Sequence, residues 1–298
     1  MKRILTLFFI LLLLLTGCTQ PESYSQIAAT TLPVYEFTAA LCEGTGITVT
    51  RLVTEKVSCL HDYSLNVRQV RSAEAAELIV ISGAGLEAFL DDILPDGDLV
   101  DASLGIELLC PTDAHDHSHG EEDHHHEHEG HSHDKDPHIW LSPVHAMTMA
   151  ENICAGLCAE YPEHENTIRA NLDALLARIA EVQAYGERAL SALSCRELIT
   201  FHDGFSYFAE AFVLTNLEAV EEESGSEASA KELIHLIEEV EHHQLPAVFT
   251  EKSGSVSAAS IIARETGCET YTLDMAMAGN SWFDAMYHNI DTIKEALQ

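Results

Sequence analysis

Basic side chains are scarce in this 298-residue chain, where 15 Lys and Arg stand against 49 Asp and Glu for a formal charge of -34. Beyond the first residues no Lys/Arg cluster with interleaved aromatics occurs, which excludes nucleic acid as a partner, because phosphate binding needs the opposite sign. The acidity raises the local cation concentration and disfavours anionic ligands. Catalytic signatures are missing too: no H-E-x-x-H helix and no G-x-S-x-G elbow is present, so an enzyme is not expected. The eight cysteines include no C-x-x-C pair, and most read as small buried apolar residues rather than as a disulfide framework.

Long apolar runs are absent apart from Ile4 to Leu15, interrupted by Thr6 and preceded by Lys2 and Arg3. This run is too short for a comfortable membrane span and has the form of a secretory signal over residues 1–17. Leu15-Thr16-Gly17-Cys18 resembles a bacterial lipobox, which makes Cys18 the expected lipidation site and residues 18–26 a tether. The expected location is extracytoplasmic, anchored to the cell membrane as a lipoprotein. Acylating Cys18 leaves an odd number of cysteines, so at least one is unpaired in a monomer.

What remains is long enough for two cores of roughly 120 residues each. Short β-branched runs alternate with helical intervals. Strands are expected over Ile27–Val34, Ile47–Val53, Glu77–Ser82 and Asp98–Ala102, and again over Glu197–Phe201, Phe212–Val220, Val248–Thr250 and Thr270–Leu273. Intervening helices are expected over 67–76, 86–94, 144–159, 229–243, 257–266 and 283–297, the fourth opened by the capping box Ser229-x-x-Glu232 with Ile234, Leu236 and Ile237 as its apolar side. Such alternation predicts an α/β fold of parallel sheets. Glu163–Leu193 is one long helical pattern, about 45 Å if continuous, able to run along both lobes. The expected boundaries are an N-terminal α/β lobe over 27–161, a connecting helix over 162–194 and a C-terminal α/β lobe over 195–298. Residues 112–136 break the pattern, because nine of the nineteen residues from His115 to His133 are His. They are His115, His117, His119, His124, His125, His126, His128, His131 and His133. Nothing there builds a core, so this is a loop.

Four metal-capable side chains fall at or just after predicted strands or in loops: His61, His138, His202 and Asp274. Ligands gather at the carboxyl ends of strands in open α/β sheets, so these residues can meet at an interlobe cleft. Imidazole and carboxylate are ligands that zinc accepts. Glu251 is the rival acidic ligand, or a partner that orients an imidazole.

At these residues the chain resembles the zinc and manganese branch of bacterial metal-importer substrate-binding lipoproteins, the cluster A-I solute-binding proteins that also include laminin-binding adhesins. The resemblance rests on His61-Asp62-Tyr63, on Ala76 to Val80 with Ser82-Gly83 and Leu86-Glu87, on Asp136-Pro137-His138-Ile139-Trp140-Leu141-Ser142-Pro143, and on His202-Asp203-Gly204-Phe205-Ser206-Tyr207-Phe208. Asp274 stands where the family places its acidic ligand, although Cys59-Leu60 and Met275-Ala276 depart from the family pattern. The resemblance implies two α/β lobes joined by a rigid backbone helix, a metal between them, and delivery to an ABC importer permease by a monomeric carrier. Three imidazoles and one carboxylate favour Zn2+ over Mn2+, since manganese-preferring relatives commonly carry a carboxylate at the position of His202, although copper would also bind such ligands strongly. The alternatives are a manganese or other transition-metal carrier, an adhesion lipoprotein, and a zinc hydrolase using an open coordination position. The His115–His133 tract is expected to collect metal weakly, for want of packed partners to fix one geometry.

Overall fold

The computed structural model describes residues 24–55, 60, 63–90, 99–109, 135–221, 228–252 and 256–298. In the first half, β1 (Ile27–Ala29), β2 (Val49–Arg51), β3 (Leu78–Ile81) and β4 (Leu99–Asp101) form a parallel sheet in the order β2-β1-β3-β4. In the second, β5 (Glu197–His202), β6 (Thr215–Glu221), β7 (Ala247–Glu251) and β8 (Glu269–Leu273) repeat that order as β6-β5-β7-β8. Both sheets therefore reverse their winding beside the first strand, which places a crevice at the carboxyl ends of β1/β3 and of β5/β7.

The helices are α1 (Leu32–Leu41), α2 (Val67–Ala75), α3 (Pro143–Glu160), α4 (Glu165–Leu190), α5 (Ser206–Ala211), α6 (Ala230–His243), α7 (Ser257–Thr266) and α8 (Trp282–Leu297). Their starts follow local chemistry. Asn66 and Gln69 form a reciprocal capping box on α2, and Ser229 and Glu232 do the same on α6. On α3, Ser142 accepts from the backbone N–H of His145 just before Pro143.

The long connecting helix is α4, 26 residues, or about 39 Å. It is shorter than its sequence pattern suggests, because Pro162–His164 form a separate 3-10 turn and the helix ends at Leu190. Ile168, Leu175, Ile179, Val182, Gly186 and Leu190 form its buried stripe. A Cβ on Gly186 would lie 2.2 Å from the Phe212 ring, so the missing side chain lets that ring reach the helix backbone. The helix ties both halves together. Asn171 donates to the Leu41 and Glu43 carbonyls, and Tyr185 donates to Asp291 on α8. One apolar core runs continuously from Ile27 and Val80 through Ile179 to Phe249 and Ile290.

Several elements differ from expectation. β1 stops at Ala29 because Pro33 opens α1 and the Thr30 and Thr31 hydroxyls turn to Glu87 and Ser82. In place of a helix over 86–94 there is a 3-10 turn at Ala88–Leu90 after a run of positive φ at Gly83, Ala84 and Gly85; 91–98 lie outside the described residues. The strand expected from Phe212 begins at Thr215, after α5 and a left-handed Val213 (φ 56°). Ile234 is 59% exposed, whereas Leu236 is buried as expected, joined by Val240, with Ile237 partly buried beside them. Cys42, Cys154, Cys158, Cys195 and Cys268 are free thiols, of which Cys42 and Cys154 are buried. Among the described residues no helix is long and apolar enough to cross a membrane.

Candidate metal site between the lobes

His138 and His202 come from opposite halves and meet. His138 precedes the 3-10 turn Ile139–Leu141, and His202 is the last residue of β5; both are 2% exposed. Their Nε2 atoms lie 3.2 Å apart and their rings are nearly perpendicular, at 86°. Asp136, also buried, makes the His138 geometry. Its Oδ1 accepts from the His138 backbone N–H at 2.9 Å and lies 2.8 Å from Nδ1. This two-residue Asp loop is a local consequence of sequence. It fixes the proton on Nδ1 and presents the Nε2 lone pair to the cleft, the orientation a metal-binding imidazole requires. His202 Nε2 then supplies the hydrogen between the rings. A tetrahedral zinc at about 2.0–2.1 Å from each nitrogen holds two nitrogens roughly 3.3 Å apart, close to the spacing already present, and an ion can take that place once His202 carries its hydrogen on Nδ1.

The walls of this pair are tight. A Cβ on Gly204 would stand 2.5 Å from Met275 Cε, 2.9 Å from His202 Cδ2 and 3.2 Å from His138 Cγ. Trp140 packs edge-on to His138 and donates its indole N–H to the Met275 carbonyl, while Trp282 donates to the Trp140 carbonyl. Tyr207 donates to the Asp136 carbonyl and accepts from the Leu109 backbone N–H. The His138 loop is thus fastened to the C-terminal half on both sides.

Asp274 follows β8 and is held by its own contacts. Oδ2 lies 2.7 Å from Lys252 Nζ, Oδ1 accepts from the Ala276 N–H, and buried Asn289 clamps its backbone from both sides. Glu251, at the end of β7, is 6% exposed. Among the described residues, neither carboxylate forms a group with both imidazoles in which all ligand atoms lie within 4.8 Å of one another. His61 and Cys18 lie outside the described residues. So does the whole expected collector tract, His115, His117, His119, His124, His125, His126, His128, His131 and His133. The residues flanking His61 are anchored: Leu60 is buried and accepts from the Tyr63 N–H, while Tyr63 donates to Glu55 and accepts from Gln69. Burial, aided by the Glu55 contact, pushes the Tyr63 hydroxyl up to about 12.

Sequence reasoning did not assign the orienting role of Asp136, the ion pair from Lys252, or Glu87. Glu87 is fully enclosed where β1 and β3 end, accepting from Thr30 Oγ1 and from the N–H groups of Ser82 and Gly83. Burial pushes its carboxyl up to about 7. The Asp-x-His spacing was a readable signal for Asp136; a lone Glu in a Gly-rich turn was not.

The family described as ZnuA, zinc-uptake complex component A, periplasmic, matches residues 27–296. The zinc-binding lipoprotein AdcA of Streptococcus pneumoniae is 29% identical over 315 aligned positions, covering 99% of this chain and 61% of that protein. The chain thus spans less than two thirds of that relative. A putative metal-binding protein of Treponema pallidum is 29% identical over 79% of this chain and 76% of its own length. Among solved structures, the crystal structure of ZnuA superposes with a TM-score of 0.76 at 27% identity, covering 92% of this chain and 100% of the other. A zinc-bound 138–173 deletion mutant of ZnuA superposes with 0.75 at 26% identity, covering 93% and 99%. With two parallel four-stranded lobes, a long helix tying them and paired histidines between them, the chain belongs to the ZnuA family of zinc-uptake components.

Proposed function

We propose that this protein captures zinc outside the cytoplasm and hands it to the membrane permease of an ABC importer, acting as a binding protein rather than an enzyme. The observation that carries the reading is the buried His138–His202 pair, with Nε2 atoms 3.2 Å apart and Asp136 fixing one tautomer. His61 and Asp274 complete the proposed ligand set, with Glu251 as the alternative carboxylate. Asp274 joins by exchanging Lys252 for the ion, which replaces one cationic partner by another. Neutral imidazoles in the majority suit zinc better than manganese. The expected organisation is a signal over 1–17, a lipid anchor on Cys18, lobes over 27–161 and 195–298, and a monomer.

The nine histidines of 115–133 serve in this reading as a weak, multivalent collector that feeds the tight site. Each binding event orders a different set of side chains and loses affinity to that ordering.

The test is competitive metal titration of untagged, chelator-stripped protein, followed by elemental analysis. One tight zinc per chain is expected, with zinc preferred to manganese by orders of magnitude. His138→Ala and His202→Ala should each abolish tight retention while Tyr63→Phe leaves it nearly intact. Equal small effects at all three positions, or a manganese preference, overturn the reading.

A further inference from the structure

At the far end of the C-terminal lobe, Glu239, His242 and His243 crowd the last turn of α6. Each offers a ligand atom, and these atoms all lie within 4.8 Å of one another. His243 is the informative member. Its Nδ1 lies 2.9 Å from Glu197 Oε2 and its Nε2 3.4 Å from Glu239 Oε2, so both ring nitrogens face carboxylates. A neutral imidazole carries one N–H. If Nδ1 donates to Glu197, the Nε2 lone pair faces the Glu239 carboxylate, and two acceptors at that distance need a cation between them. A proton on Nε2 would serve those two groups and leave His242 unused. A metal ion would serve all three, and the His242 ring already stands perpendicular to His243 with centroids 4.8 Å apart.

From this geometry we propose a second metal site, in which Glu239, His242 and His243 Nε2 bind a borderline divalent cation such as zinc while Glu197 orients His243 from behind. Carboxylate–histidine–metal relays have this form, and two imidazoles with one carboxylate are a donor set that zinc accepts with water filling the remaining position. The site lies at a helix C-terminus, where exposed carbonyls favour a cation, on a chain of charge -34. His242 is exposed and Glu239 and His243 are half-buried, so the side chains can close from their present spacing to the roughly 3.3 Å that a bound ion imposes. Partial exposure also makes the site weak and fast to exchange. Glu197 opens β5 and His202 ends it, a separation of about 17 Å along the strand. The two sites therefore do not share ligands, and the second does not depend on the ligand set proposed for the first.

Full-length untagged protein, its tight site filled with one equivalent of zinc, would be treated with diethyl pyrocarbonate at increasing buffered free zinc. Modification of each histidine would be read peptide by peptide, which separates His242 and His243 from the 115–133 tract. Modification of His243 should fall severalfold as zinc rises. Glu239→Gln should move that protection to roughly tenfold higher zinc, and Glu197→Gln should do so through the orienting contact. Tight-site affinity, measured by chelator competition, should be unchanged in both variants. A protonated imidazolium as the sole occupant predicts modification that follows pH and ignores zinc. That result, or the same zinc dependence in Glu239→Gln and the parent protein, would overturn the proposal.

Discussion

Glu36 on α1 accepts hydrogen bonds from the backbone N–H of Trp282 and from the Ser281 hydroxyl, so an acid of the N-terminal half caps the first turn of α8 in the other half. A carboxylate at a helix N-terminus is favoured by the helix dipole. Burial nevertheless raises the Glu36 carboxyl, against the lowering effects of Trp282, Ser281 and Arg178. A second clasp nearby is the Arg51 guanidinium, which donates to the Gly279 carbonyl. Glu36→Ala should cost about 1–2 kcal/mol in urea unfolding and speed zinc release by loosening the lobes. An unchanged release rate with reduced stability would show that the clasp supports α8 alone.

Asp136 acts on the ion through His138. Asp136→Asn keeps the shape but removes the charged acceptor that holds the proton on Nδ1. Zinc affinity should fall about 10–100-fold, as measured by chelator competition, with the melting temperature moving less than in His138→Ala. Because a bound ion takes the Nε2 lone pairs of both rings, His202 must carry its hydrogen on Nδ1 in the loaded protein, and nitrogen NMR shifts of its imidazole should report that change of tautomer on zinc binding.

Much of this architecture was legible because the signals were local. The apolar runs 78–81 and 247–251 and the capping box at Ser229 lie where period and composition put them. The Asp-Pro-His and Phe-His segments did bring their histidines together. The missing parts depend on tertiary contacts. Nothing within 86–94 says that Glu87 turns inward to gather Thr30, Ser82 and Gly83, just before the 3-10 turn at Ala88–Leu90. Nor does the sequence place Lys252 against Asp274, a contact made by the ends of two neighbouring strands.

Gly204 and Met275, both in the C-terminal half, pack tightly beside the histidine pair. A methyl group at 204 would meet Met275 Cε first and the two imidazoles next. Gly204→Ala should weaken zinc binding several-fold, equivalent to roughly 1 kcal/mol of overpacking. If the flexible thioether is the obstruction, Met275→Ala in the same chain should restore most of that loss, a coupling that a double-mutant cycle reads directly. Additive losses would instead assign the obstruction to the rings of His138 and His202.

Glu87 makes stability fall as the medium turns from acid to neutral. Its carboxyl is raised from 4.5 to about 7, chiefly by burial, and the donors Thr30, Ser82 and Gly83 only partly oppose that rise. Between those values the folded protein holds a proton that the unfolded chain has released. Unfolding is then favoured by rising pH, so the stabilisation from this group is full below about 4.5 and is lost as pH climbs through about 7. The change is on the order of 3 kcal/mol at 1.36 kcal/mol per unit. Glu87→Gln should remove that slope. The amide keeps an acceptor for Thr30 and Ser82 but turns a donor toward the Gly83 N–H, so the variant should be less stable at pH 4.5 and lose less on going to pH 7. Urea unfolding of both proteins across that range, with metal chelated throughout, checks this by difference and cancels the titration of the other carboxylates. Parallel stability curves for parent and variant would mean that Glu87 stays ionised inside the fold.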